Sequence, residues 1–323
     1  MPYNNVISAA DAASLIPQEV STEIIKNLTT TNPLLSMAKK LPNMSRAQRR
    51  LPVASALATA YFVTGATGLK QTTELNWANR FIDAEEVAAI IPVPNTVLDD
   101  ADYDIWGECK PALEEAFGVA IAQAVLYGTN IPATWTTNIG AAGLVAGATT
   151  AGHDPHLSVY TDLYEALLGE TIGLAPSAWG LVEADGFAVN GWIAHLSMKG
   201  KLRNCRDING QPIFKSNMVD ATRYDIEGVS GQFPADGSIV FATSQMIVGD
   251  WSQLVYAIRQ DMTFTIATEG VIQDAAGNIV YNLFQQDMVA LRAVMRLGFA
   301  LPNPINRMNP TAATRCAFAT LTP

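Results

Sequence analysis

The stretch "LDDADYDIW", residues 98–106, places Asp99, Asp100, Asp102 and Asp104 within six positions. Carboxylates that close together can hold a divalent cation, divide acid and base roles, or start a helix. A calcium loop of the EF-hand type beginning at Asp100 would use Asp102 and Asp104 as its next ligands. It fails twice, with Ile105 at the sixth position in place of glycine and Pro111 at the twelfth in place of glutamate. A DDxxD metal motif needs an acid at 103, where the chain has Tyr103. The helix start needs no special geometry, because Asp is a preferred N-cap and first-turn acids meet the positive end of the helix dipole. Each such acid contributes about 0.3–1 kcal/mol. We read the cluster as the beginning of a helix.

Other candidate chemistry is equally incomplete. "GATGLKQT" suggests a phosphate loop, but Lys70 is flanked by Leu69 and Gln71 where a Walker A loop needs Gly and Ser or Thr. His153 and His156 in "HDPH" have no third metal ligand nearby and read as a polar turn. His195 falls in "NGWIAHLSMKG", read as a helix with a partly buried histidine. Cys205 sits between Arg203 and Arg206, which would lower its pKa, yet no histidine lies near in sequence to act as its base. Neither GxSxG nor HExxH occurs. An enzymatic constellation is missing.

The elements that must position these residues read as a mixture of helix and strand. "SLIPQEVSTEIIKNL" has a helical stripe of Val20, Ile24, Ile25 and Leu28, and a second helix restarts at Pro33 with Lys39 and Lys40 at its C-terminal end. "RRLPVASALATAYFVTGATGLKQTTELNW" reads as a two-stranded excursion, with "TAYFV" as β-structure before a tip at Gly65 to Gly68. It carries too little apolar content for a core of its own. "EEVAAIIPVP" reads as a buried strand. A long amphipathic helix ends at Gly128, with Ile105, Cys109, Leu113, Phe117, Ile121 and Ala124 on one side and a kink or break at Pro111. Residues 128–157 read as an irregular crossover, and "SVYTDLYEALLGETI" as a helix. Strands are expected at "DINGQPIF", "GSIVFAT", "MIVGD" and "TFTIATEG". "MVALRAVMRLGFAL" alternates with strand period beyond the usual five or six residues, placing Arg292 and Arg296 opposite the apolar face.

Composition narrows the class. Charged residues are only 15% of 323, against about 25% in ordinary soluble proteins, so obligate assembly is favoured. No run approaches the roughly 20 apolar residues that span a bilayer, and the first residues lack the order of a signal peptide. Three widely spaced cysteines fit a reducing compartment. The net charge of −10 is uneven: no acid lies between Glu23 and Glu74, where Arg46, Arg49, Arg50 and Lys70 fall, and none follows Asp287. A basic arm resting on the acidic body of a neighbouring copy explains this better than a nucleic-acid arm, which carries a denser basic run.

The order of segments resembles the major capsid proteins of tailed bacteriophages, the Hong Kong 97 fold. The likeness is carried by "SLIPQEVSTEIIKNLTTTNPLLSMAKKLP", "AEEVAAIIPVPNTVLDDADYDIW", "VLYGTNIP", "DINGQPIF", "VGDWSQLVYAIRQDMTFTIATEG" and "DMVALRAVMRLGFAL", six segments in the family's order. The resemblance implies an α+β fold. It divides the chain into an N-terminal arm (1–46), an extended β E-loop (47–82), and a peripheral domain (83–130 and 258–312) with a spine helix at about 102–128. An axial domain (131–257) and a C-terminal tail (313–323) complete it.

It further implies a shell of hexamers and pentamers enclosing double-stranded DNA in a virion, assembled in the host cytoplasm, with no cofactor. Portal and cement or decoration proteins are implied partners, with a separate scaffolding protein or none. Some relatives cross-link an E-loop lysine to a neighbour's asparagine with a glutamate as base. Lys70 matches the lysine, but Asp287 stands at the asparagine position and Val294 at the glutamate position, so non-covalent assembly is expected. The residues expected at subunit interfaces are Arg46, Arg49, Arg50, Gly65, Gly68, Lys70, Asp99, Asp100 and Asp287. An encapsulin-type nanocompartment is the near alternative, and a soluble enzyme the distant one.

Overall fold

The computed structural model describes residues 33–63, 68–101, 104–160, 162–169, 176–206, 209, 211 and 225–323. The first expected helix, at 14–28, and almost all of "DINGQPIF" lie outside them. In chain order the first elements are α1 (Pro33–Met37), β1 (Lys39–Lys40), β2 (Gln48–Ala56), β3 (Asn76–Asp83) and β4 (Glu85–Pro94). Helices α2 (Asn95–Asp100), α3 (Ile105–Tyr127), α4 (Ala133–Ile139), α5 (Gly143–Thr150), α6 (Leu163–Leu167) and α7 (Ala178–Ala184) follow. Then come β5 (Gly191–Ala194), α8 (Met198–Arg203), β6 (Asp225–Ile226), β7 (Val229–Gln232) and β8 (Met246–Gly249). The last are β9 (Val255–Ala267), β10 (Val271–Gln273), β11 (Ile279–Asn282), β12 (Met288–Ala300) and β13 (Phe318–Leu321).

One sheet has the order β1-β9-β12-β4. Its centre is the long strand β12, antiparallel to both β4 and β9. The odd positions from Leu291 to Phe299 join the main core with Leu113, Phe117 and Ile121 of α3, as strand and helix periods dictate. The even positions are not solvated as simple alternation would require: Ala290, Val294 and Ala300 are also buried. The base of the β2–β3 hairpin covers part of that face. A Cβ at Gly298 would lie 2.4 Å from the Asp83 carbonyl and 2.6 Å from Ile82, so only glycine allows this approach. Strand β4 is an edge and is half-buried, not wholly buried as expected, and the edge tolerates Pro92 and Pro94, which lack an N–H.

Helix α3 is one helix of 23 residues with Pro111 inside it, not the short helix followed by a longer one that was the alternative to a kink there. Its end is abrupt. Gly128 adopts φ 69°, and its N–H bonds back to the Ala124 carbonyl, closing the helix. A Cβ there would meet the Ala142 backbone at 2.7 Å, which lets the start of α5 pack against the end of α3.

The second sheet has the order β13-β8-β5-β7-β6. Helices α5 and α7 pack on it, and β5 and β8 are buried at every position. The segment expected as a C-terminal tail contributes β13, whose four residues are buried against β8.

Several local expectations are corrected. Lys39 and Lys40 do not end a helix; they pair in parallel with Val255 and Tyr256. "TAYFV" is irregular, and the strand lies earlier, at β2. The crossover 128–157 contains two helices, α4 and α5, whose Trp135, Ile139, Leu144 and Val145 are core residues. "GSIVFAT" forms turns. His195 follows β5 and bonds Ser197 Oγ through Nδ1 at 2.8 Å.

Candidate assembly surfaces

The hairpin β2–β3 projects as a two-stranded ribbon outside both larger sheets. Cross-strand register places Arg50 opposite Phe81 and Ala54 opposite Trp77 on one face, and Arg49 opposite Ile82 on the other. Trp77 is 65% exposed, and Phe62 and Leu69, on the irregular segments beyond the strands, are almost fully exposed. Gln48 donates to Asp83 at 2.7 Å across its base, and Arg307 donates at 2.5 Å to the Ala58 carbonyl just beyond the far end of β2. An isolated two-stranded ribbon is marginal in water, and apolar side chains displayed in this way mark an interaction surface.

The expected interface residues divide. Arg46 and Arg50 are exposed, while Arg49 donates to the Pro42 carbonyl at 2.6 Å within its own chain. Lys70 is exposed and Gly68 half-buried; Gly65 lies outside the described residues. Asp99 and Asp100 do not begin the long helix. They occupy the last two positions of α2, exposed, and the cap of α3 is Asp104, whose carboxylate accepts from Gly107 N at 3.0 Å. Asp287 is bound intramolecularly, accepting from Asn95 at the junction of β4 and α2.

Among the described residues, no three His, Cys, Asp or Glu side chains gather around a possible metal position. Cys205 is not activated: burial, with Asp162 nearby, raises its pKa instead of lowering it. Burial pushes the Cys316 thiol up to about 11.

Sequence reasoning missed one polar cluster. His153 is 4% exposed; its Nδ1 meets the Phe318 carbonyl and its Nε2 meets Asp185, both at 3.2 Å. Asp185 also accepts from Cys316 N at 2.6 Å and Asn309 Nδ2 at 2.7 Å. The buried Arg315 guanidinium donates to Asn303 Oδ1 and to the Asn303 and Asn309 carbonyls. This network fastens residues 303–318 to the helices beside the second sheet. Asp185 lies more than 120 residues from Asn309 and Cys316, so local pattern gave no signal.

A sheet built on one long central strand, a long helix across it, a second all-round sheet and an outlying hairpin constitute the Hong Kong 97-type capsid fold. The phage capsid family profile matches residues 12–306, and the chain belongs to that family, a family of structural and not enzymatic proteins. The major capsid protein of Staphylococcus phage 80alpha is 24% identical over 302 residues, covering 91% of this chain and 84% of the relative. A solved structure from Microbacterium phage Oxtober96 is 31% identical with a TM-score of 0.82, covering 99% of this chain and 100% of the other. One from Mycobacterium phage Bobi is 28% identical with a TM-score of 0.80, covering 99% of each. The chain is a phage major capsid protein, a virion component that assembles with copies of itself.

Proposed function

We propose that copies of this chain form the hexamers and pentamers of a closed icosahedral or prolate shell around double-stranded DNA, held by non-covalent contacts. In this reading residues 1–46 are the arm, 47–82 the E-loop, 83–130 with 258–312 the peripheral domain and 131–257 the axial domain. Two strands bear on the edges of this division: β9 begins at Val255, three residues before 258, and β13 (318–321) pairs with β8, which supports counting it with the axial domain in this reading.

The observation that carries the reading is the hairpin β2–β3, with its arginines and its exposed Trp77 and Phe62. It has a shape and an apolar surface that a single copy does not bury. A neighbouring copy would cover it, and the exposed Arg46 and Arg50 would meet that neighbour's acidic body, with Asp99 and Asp100 among the candidate acids. Complementary charge of this kind sets register more than strength. Scaffolding, portal and decoration proteins are further partners in this reading, and assembly takes place in the host bacterial cytoplasm.

Sedimentation and negative-stain microscopy of the purified protein test it. Closed particles that protect double-stranded DNA from nuclease in the native virion are expected. A monomer or small oligomer under all assembly conditions would overturn the shell reading, and particles carrying enzymes and no DNA would turn it to a nanocompartment.

A further inference from the structure

Between α1 and the edge of the second sheet lies a cavity of about 410 Å³, lined by Ser36, Met37, Lys39, Ser230, Gln232 and Trp251 with their neighbours. Trp251 is 2% exposed and packs edge-on against Phe318, with ring centroids 5.2 Å apart. Its Nε1 is a buried donor with no hydrogen-bond partner among the described residues. Such a donor loses its hydration without recompense, so buried indole N–H groups usually find an acceptor.

Several acceptors close by are already used. Asp250, the acid adjoining the cavity, takes Asn190 Nδ2 at 2.6 Å, Ser252 Oγ at 2.6 Å, Ser252 N at 3.1 Å and Gln253 Nε2 at 3.1 Å. Asn190 Oδ1 accepts from Trp251 N at 2.8 Å, and Ser36 Oγ accepts from Gln232 Nε2 at 3.0 Å. The donors that remain are the indole N–H, the exposed Lys39 ammonium and the Ser230 hydroxyl, since the Ser252 hydroxyl already donates to Asp250. Lys39 makes no salt bridge among the described residues. A donor set with one cation matches a carboxylate, which accepts on two oxygens and donates nothing.

Access is also built in. Gly191 borders the indole, where a Cβ would lie 2.4 Å from Met37 Cε and 3.3 Å from Trp251 Nε1, so glycine leaves room there for the flexible Met37, which lines the cavity with Trp251. A methionine can swing aside at little cost. A branched side chain could not.

We infer that this cavity receives an Asp or Glu side chain of a second copy of this chain, bound between the Trp251 indole N–H and the Lys39 ammonium. The inference rests on the shell reading, since a neighbouring copy is the macromolecule then always at hand. The chain supplies the complement, with 30 acids against 20 bases.

The test is a cryo-EM reconstruction of assembled shells, paired with the threshold concentration for assembly of W251F and K39Q. A neighbour's carboxylate within hydrogen-bond distance of Nε1 is expected. W251F keeps the ring against Phe318 and removes only the donor, so it should raise the threshold about tenfold while the melting of unassembled subunits stays unchanged. K39Q should raise it in the same direction. An acceptor from residues 1–32 of the same chain, a water or a free anion at Nε1, or an unchanged threshold in W251F would overturn the inference. Failure of the unsubstituted chain to form any particle would overturn the shell reading and this inference with it, whereas particles lacking the contact overturn the inference alone.

Discussion

Asn95 and Asp287 lie 192 residues apart and are bonded twice: Asn95 Nδ2 donates to Asp287 Oδ1 at 2.5 Å, and Asn95 N donates to the Asp287 carbonyl at 2.9 Å. Asp287 adopts φ 50°, a left-handed conformation that Asp and Asn tolerate better than most residues. The pair fixes where β4 ends, where α2 begins and where β12 starts. Its carboxylate therefore has a task inside the subunit, whatever it does between subunits.

Replacing Asp287 with Ala removes that acceptor and leaves alanine at positive φ. We expect a loss of about 1–3 kcal/mol in denaturant unfolding of unassembled subunits. Asp287→Asn keeps both the acceptor and the tolerated conformation, so its loss should stay within about 0.5 kcal/mol. Equal losses in the two variants would contradict this account.

Cross-linking offers a second check. If the resemblance aligns Asp287 with the amide and the buried Val294 with the base, Lys70 is expected to form no cross-link. Purified shells boiled in detergent should run as one band near 34.6 kDa. A covalent ladder of multimers would contradict non-covalent assembly.

The acidic stretch gives a third. Asp104 caps α3, so Asp104→Ala should cost about 0.5–2 kcal/mol. Asp99→Asn and Asp100→Asn remove charge from exposed positions at the far end of a short helix, and subunit stability should move by less than about 0.5 kcal/mol. If those two substitutions nevertheless impair assembly, the acids serve the interface; if assembly is unchanged, they do not.

Much of this was legible beforehand, and the misses share a cause. Strand β12 and helix α3 announce themselves because each is long and keeps one apolar face over many residues. The hairpin was legible from what it lacks, a core of its own. Asp99 and Asp100 misled because four acids within six positions satisfy helix-start preference at several places, and only three-dimensional context selects Asp104. Residues 128–157 misled because glycine and threonine disfavour helix, and burial of Trp135, Ile139 and Leu144 overrides that local preference. The polar cluster around Asp185 joins segments distant in the chain, which no local pattern encodes.

That cluster predicts a pH dependence. Burial holds the His153 pKa below its ordinary value, against the opposing pull of Asp185, the Phe318 carbonyl and Asp154. The unfolded chain therefore binds a proton more readily than the folded one just below the ordinary histidine value of about 6.5. His153 contributes stability above that value, and the contribution is lost as pH falls through the depressed folded pKa. Denaturant midpoints measured between about pH 5 and 8 should fall towards acid, and more shallowly in His153→Gln. An identical slope in the variant would remove His153 from the explanation.

The hairpin β2–β3 carries the shell reading most directly. Hydroxyl-radical footprinting read by mass spectrometry can follow Phe62, Trp77 and Phe81 in unassembled subunits and in closed shells. These side chains are exposed in the single chain, so rapid oxidation is expected there. In shells a neighbouring copy should cover them, and oxidation should slow markedly at these three while residues of the buried core, such as Trp192, stay unchanged. Equal oxidation of all three in subunits and shells would contradict the claim that this hairpin joins one copy to the next.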